Sequence, residues 1–190
     1  MTPQSLIVTI LLGAGLVGAE TRTYQIGPAE GSRFALEVFK TGLMSGKKHV
    51  FVFERYHGEL TLDEQKPEEA KIRFVVEAGS VVCTDTWVND GSRKKIQVVA
   101  RDQMMQADKY PELVFTSTKA TAKGDIEGML TIRGVARPVV VHVSSNGGVF
   151  EGNAQLKLSD FGLKPPSSGL SLGLIGTKNE MAVLFQLKAK

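Results

Sequence analysis

The chain has 190 residues, 42% of them hydrophobic and 23% charged, the length and composition of one globular domain with a sizeable core. Its net charge of +3 comes from 23 Lys and Arg against 20 Asp and Glu, and no basic run exceeds Arg93-Lys94-Lys95, a balance that argues against a nucleic-acid partner. The single cysteine, Cys83, leaves no intrachain disulfide to form.

The chain opens on an uncharged run, Leu6 to Ala19, too short to span a bilayer. Val17-Gly18-Ala19 ahead of Glu20 fits a signal-peptidase site. Residues 1–19 are therefore expected to be a signal peptide and residues 20–190 the mature domain, exported to the periplasm or secreted. Met1 to Ser5 carries no Lys or Arg, and an uncleaved N-terminal anchor is the alternative.

After Glu20 the dominant period is two. Phe34, Leu36 and Val38 alternate with Ala35 and Glu37, and Tyr56, Leu60 and Leu62 with His57, Glu59 and Thr61. Ile72, Phe74 and Val76 flank Arg73 and Glu77 in turn. Val50 to Phe53 is apolar on both faces, which places a bulge or bend nearby, with Gly58 a second soft point. Further along, Ile126, Leu130 and Ile132 alternate against Glu127 and Arg133. Phe150, Ala154, Leu156 and Leu158 do so against Glu151 and Lys157, and Met181, Val183, Phe185 and Leu187 against a mixed face. This is half-buried antiparallel strand. Turn residues at 63–67, 123–125 and 146–148 punctuate it.

One segment breaks the period. From Ser92 to Asp108, Ile96, Val99, Ala100, Met104 and Ala107 recur at helical spacing. Ser92 is placed to cap the start, and Tyr110-Pro111 to end the segment. The expected fold is all-β: about eight strands and one helix. Closing the strands into a barrel removes sheet edges and buries the apolar face; a two-sheet sandwich is the alternative.

The sequence offers no catalytic centre. Gly169-Leu170-Ser171-Leu172-Gly173 matches a serine nucleophile elbow, but Pro165-Pro166 precedes it where that motif needs a central strand. All three histidines (His49, His57, His142) come before Ser171, opposite to the order of that fold. His49 and His57 lie eight residues apart, roughly 26 Å on a straight strand, too far to share a metal. Asp102 and Asp108, six apart, fall on poorly matched helix faces. Cys83 reads as a buried, inert thiol.

Several stretches resemble the YceI-like family, lipocalin-like polyisoprenoid-binding proteins of bacteria. They are Phe53-x-x-Tyr56-x-Gly58-x-Leu60, Ser80-Val81-Val82-Cys83-Thr84, Lys109-Tyr110-Pro111 through Ser117, Gly128-Met129-Leu130-Thr131-Ile132-Arg133-Gly134-Val135 through Pro138-Val139, and Asp160-Phe161-Gly162-Leu163. They run in family order from about Tyr24 to Lys190. Two departures stand out: Arg101-Asp102-Gln103-Met104-Met105 lacks the family's helix His, and Lys157-Leu158-Ser159-Asp160 lacks an Arg before the late turn.

The resemblance implies an eight-stranded antiparallel barrel with a helix beside it, and an apolar lumen that holds a prenyl chain. The expected ligand is an isoprenoid lipid, polyprenyl or quinone in type, bound without catalysis and with no other cofactor. The inward alternating residues are the candidate lining: Phe34, Leu36, Val38, Tyr56, Leu60, Ile72, Phe74, Val76, Leu130, Ile132, Leu156 and Phe185. The alternative is an exported structural or stress-related barrel whose interior is filled, since small barrels are often packed solid. An exposed barrel mouth would serve a transient membrane contact or a homodimer.

Overall fold

The computed structural model describes residues 21–63, 65–166 and 174–188. The expected signal peptide, residues 1–19, and the Gly169–Gly173 stretch both lie outside the described residues. Eleven strands form one sheet with every pair antiparallel. They are β1 (Thr21–Ile26), β2 (Arg33–Gly42), β3 (Lys48–Phe53), β4 (Tyr56–Asp63), β5 (Lys71–Glu77), β6 (Val81–Cys83), β7 (Glu112–Ala120), β8 (Asp125–Ile132), β9 (Val135–Asn146), β10 (Val149–Lys157) and β11 (Ile175–Lys188). The order across the sheet is β1-β4-β5-β7-β8-β9-β10-β11-β2-β3-β6.

The expectation of eight strands is corrected to eleven, and the reason is bending. Strands β3 and β4 are one path of chain broken at Glu54-Arg55. Strands β5 and β6 are a second, broken at the short 3-10 turn Ala78–Ser80. Two backbone hydrogen bonds carry the pairing past the breaks: Glu54 N donates to the Ser80 carbonyl (3.2 Å), and Glu77 N to that of Arg55 (3.0 Å). The Ser80 hydroxyl donates to the Glu77 carbonyl (2.7 Å) and accepts from Arg55 N (3.1 Å), which fixes both bends with one buried side chain. Strand β1 is the remaining addition, paired to β4. Because β3 pairs with β2 while its continuation β4 pairs with β5, the sheet curls round on itself as a barrel rather than splitting into two layers.

The helix also differs from its expected bounds. Helix α1 spans Asp90–Val98 and passes without interruption into a π-helical turn over Val99–Met104. Its cap is Asn89, whose side chain accepts from Ser92 N at 2.8 Å; Ser92 is the capped donor rather than the cap. Both residue types cap well, and the earlier one is taken because Asp90 then sits in the first turn, where the helix dipole favours an acid. The segment ends at Gln106, a non-glycine residue at φ 50, well before Tyr110-Pro111.

This helical segment sits at one end of the barrel, which we call the helix end. The turns after β2, β8 and β10 lie there too, and Arg133 in the β8–β9 turn donates to the Met104 carbonyl (3.4 Å). The opposite end carries the β7–β8 turn and the Gly147-Gly148 turn, whose glycines take φ 57 and 81, as a two-residue hairpin demands.

Candidate functional site

The period-two faces point where their pattern requires. Phe34, Leu36 and Val38 face inward from β2, Leu60 from β4, and Ile72, Phe74 and Val76 from β5. Leu130 and Ile132 face inward from β8, Leu156 from β10 and Phe185 from β11, and all of these line one continuous cavity of about 1040 Å3. Of the twelve candidates, only Tyr56 does not line it. Tyr56 lies on the inner face opposite Val76 but is buried against Phe34 (6.0 Å between ring centres) and Phe74 (5.6 Å). Burial raises its phenol pKa above 10.0, against an opposing hydrogen bond with Ser32.

The interior is not filled. Phe34, Leu36, Val38, Ile72, Leu130 and Phe185 point into the barrel yet stay only half-buried, because the lumen beside them is empty space. Three inward glycines help to keep it so. A Cβ on Gly58 would come 2.7 Å from the Phe74 ring, one on Gly128 2.5 Å from Phe115, and one on Gly152 2.5 Å from Phe185. Each ring thus lies flat over a glycine of the adjoining strand, against the wall, the arrangement by which aromatic rings shield glycines in sheets.

Several lining residues escaped the strand pattern. Phe51 and Phe53 line the cavity from the run that is apolar on both faces. Ile96, Val99, Ala100 and Met104 close the helix end, so the stripe at helical spacing is part of the wall, and Ala107 is buried beside it.

The polar lining is confined to the two ends. At the helix end it is Lys40, His49, Lys95, Gln103, Lys164 and Thr177; at the other it is Thr121, Lys123, Ser144 and Ser145. Among the described residues no Asp or Glu lines the cavity. Lys40 is half-buried, and desolvation lowers its pKa from the ordinary 10.5.

Behind His49 stands a residue with no flag in the sequence. Asp85, its side chain fully buried, accepts from His49 Nδ1 at 2.5 Å and from Val50 N at 2.8 Å. Trp87 stacks on the other face of the imidazole (5.2 Å, 24° between planes) and donates from Nε1 to the Lys48 carbonyl (3.0 Å). The ring is therefore clamped. His57 is exposed on β4, and His142 pairs with Asp125 at 2.6 Å on the outer surface. Among the described residues no three His, Cys, Asp or Glu side chains are grouped to hold a metal. Cys83 is buried, and desolvation raises its thiol to about 11, against a backbone hydrogen bond at Asp85 that lowers it.

Comparison with known proteins places this geometry. A model of the YceI-like domain matches residues 24–189. Among curated proteins, a UPF0312 protein of Pseudomonas putida strain W619 is 32% identical over 130 residues, 61% of this chain and 64% of that one. A UPF0312 protein of Pseudomonas aeruginosa strain LESB58 is 34% identical over 125 residues, 59% and 62% respectively. The match thus spans less than two thirds of those relatives' length. Among solved structures, Burkholderia cenocepacia BcnA superposes with a TM-score of 0.62 at 22% identity, covering 83% of this chain and 96% of that one. A mutant CJ YCEI protein gives 0.54 at 22% identity, covering 74% and 84%. These two likenesses are of fold. The match across residues 24–189 is one of sequence, and by it the chain belongs to the YceI-like domain family.

Proposed function

We propose that this barrel binds, stores or carries an isoprenoid lipid in its lumen without catalysing a reaction. The observation that carries the reading is the cavity itself: about 1040 Å3, apolar along its middle and polar only at its ends. That is the upper end of the size range of ligand pockets. At roughly 30 Å3 per group the size of a water molecule, 1040 Å3 holds on the order of 35 such groups, close to a prenyl tail of about forty carbons. The alternative of a filled core fits poorly with inward side chains that remain half-exposed.

Tail burial is enough to supply affinity. At ~0.8 kcal/mol per buried CH2, a forty-carbon tail gains on the order of 30 kcal/mol. Ordering costs bring real complexes to a ceiling of about 20 kcal/mol. The leader at residues 1–19 fits a periplasmic carrier. Leu43 and Leu174, 75% and 57% exposed, stand together at the helix end, joined by Leu43 N donating to the Leu174 carbonyl (3.0 Å); two bare leucines at one end of the barrel suit brief contact with a membrane.

The test is a tail-length series. Geraniol, farnesol and geranylgeraniol are titrated against the mature protein, read by the fluorescence of Trp87, the chain's single tryptophan. Affinity is expected to rise about tenfold or more with each isoprene unit. Equal affinity across the series, or no binding, would remove the lumen as the site.

A further inference from the structure

We infer that the outer surface of the helix end is a docking face for a bilayer that carries anionic phospholipid, met by bare apolar side chains set among lysines. The inference rests on the carrier reading above and names the surface with which such a carrier exchanges its lipid.

Apolar exposure comes first. Six large apolar side chains are exposed among the described residues, and three of them, Leu43, Val98 and Leu174, stand at the helix end. Val98, 51% exposed, is the last residue of α1, in the segment that closes that end. Leu43 follows β2 and is hydrogen-bonded to Leu174 ahead of β11. The other three, Met129, Val140 and Leu184, are spread over the outer wall on β8, β9 and β11. A cluster of bare apolar side chains at one end of a barrel marks a contact surface.

Charge comes second, and it chooses the partner. Lys47 of the β2–β3 turn, Lys94 and Lys95 of α1, Lys164 after β10 and Lys178 near the start of β11 are all exposed. Among the described residues none of these five makes a salt bridge. Lys47 lies over the Trp87 ring (5.9 Å) and Lys178 over that of Phe39 (6.0 Å), contacts that leave the charge in place. Arg133, on the Met104 carbonyl, adds a further cation. Several nearby acids are already engaged: Glu37 with Lys48, Asp90 with Arg93 and Asp102 with Arg101. Asp108, Asp160 and Glu180 carry no salt bridge among the described residues, too few to neutralise the lysines. Apolar side chains flanked by lysines suit a bilayer interface. The apolar groups enter among the lipids, the lysine stems follow them, and the ammonium groups stay with the phosphates.

Geometry comes third. The cavity lining reaches Lys40 of β2 and Thr177 of β11, which lie opposite one another. Leu43 and Leu174 stand just past the ends of the same two strands, roughly 10 Å further on. Lys164 and Pro165 also belong to the lining and stand at the same end. Docking by this face sets that end of the lumen against the head-group layer. A lipid then passes between bilayer and barrel with the least exposure of its tail to water.

The experiment measures co-sedimentation of the mature protein with vesicles of phosphatidylcholine alone, and of phosphatidylcholine and phosphatidylglycerol in equal parts. One variant combines Lys47→Glu with Lys94→Glu, and another Leu43→Ser with Leu174→Ser; none of these four residues lines the cavity. Lys71→Glu, exposed at the far end, and Leu184→Ser, on the outer wall, are the controls. Thermal melts establish that each variant is folded. The wild type is expected to bind the anionic vesicles about tenfold or more tighter, a gap that narrows as salt is raised. A lysine near an anionic bilayer strengthens attachment about fivefold, so the lysine pair should lose about twenty-five-fold or more on anionic vesicles. The leucine pair should lose about tenfold or more on both, and the controls should bind as the wild type does. Attachment that ignores phosphatidylglycerol, that survives in either pair, or that falls as far in a control overturns the inference. So does protein that attaches to neither vesicle. A dimer in sedimentation velocity that is lost in the leucine pair overturns it too, and makes the face a contact between two copies. All of these leave the carrier reading standing, because the prenyl alcohol series is titrated without vesicles. Failure of that series with attachment intact removes the carrier reading and leaves the docking face.

Discussion

Strand β2 carries two unlike regions of the lumen on one face. Phe34, Leu36 and Val38 line the middle, and Lys40 lines the helix end. In the middle, packing and cavity wall are the same atoms: Phe34 touches Phe53, Phe74, Tyr56 and Phe185 at 5.2 to 6.5 Å between ring centres. Stability and ligand burial are served there by one set of side chains. At the helix end they separate. Lys40 is desolvated with no ion-pair partner among the described residues, and the polar groups around it contribute little to the core. A residue that lowers stability while completing a cavity wall points to a ligand contact.

The comparison is broken hardest in the middle. Phe74→Ala removes a ring in contact with Phe34 (5.2 Å) and Tyr56 (5.6 Å), and is expected to cost about 3–5 kcal/mol in urea unfolding, with weaker prenyl binding. A loss under about 1 kcal/mol would mean that the ring faces ligand space alone and packs little. Gly152→Ala comes next. The added methyl meets the His142 carbonyl and the Phe185 ring, and overpacking of this kind costs about 1–3 kcal/mol; unchanged stability would show that both the β9 backbone and the Phe185 ring give way freely.

Two smaller effects sharpen the contrast. With a thiol pKa raised to about 11, Cys83 is roughly one part in a thousand thiolate at pH 8, so native protein should react with iodoacetamide more than about a hundredfold more slowly than urea-unfolded protein. Comparable rates would place the β3–β6 wall open to solvent. At the helix end the sign reverses. Folding lowers the Lys40 pKa, so the unfolded chain holds that proton more tightly. Stability therefore carries a penalty at neutral pH that is relieved as pH rises through the lowered value toward 10.5. Lys40→Met should raise the melting temperature of the lipid-free protein by about 2 °C at pH 7, with less gain at pH 10. A fall instead would mean that the ammonium is satisfied within the barrel.

How much of this was legible follows from the chemistry of each region. Period-two alternation found Phe34, Leu36, Ile72, Phe74 and Phe185 because one wet face and one apolar face leave opposite marks along a strand. It failed at Phe51 and Phe53, where Val50 and Val52 are half-buried on the other face and the pattern is erased. Strand number was misjudged because bends at Glu54-Arg55 and Ala78–Ser80 split two continuous paths of chain, and each shifts the inward face by one residue, from Phe51 and Phe53 to Leu60 and from Val76 to Val81. Tyr56 shares the inward face with its partner Val76, but the Phe34 and Phe74 rings pack against it and it does not line the cavity. Lys40 shared the parity of Phe34 and Val38, yet a lysine at the end of an apolar run reads as a strand leaving the core. Asp85 left no trace, since an aspartate between two threonines reads as a turn.

The central claim is that the lumen holds a prenyl amphiphile, and the most direct measurement is what the protein carries. The full-length chain is expressed in a prenyl-lipid-making bacterium, the mature protein is purified from the periplasm, and an organic extract and the protein are both weighed by mass spectrometry. The account predicts a stoichiometric prenyl species on protein that begins at Glu20. Lipid-free protein that also refuses added geranylgeranyl phosphate and geranylgeraniol would contradict it.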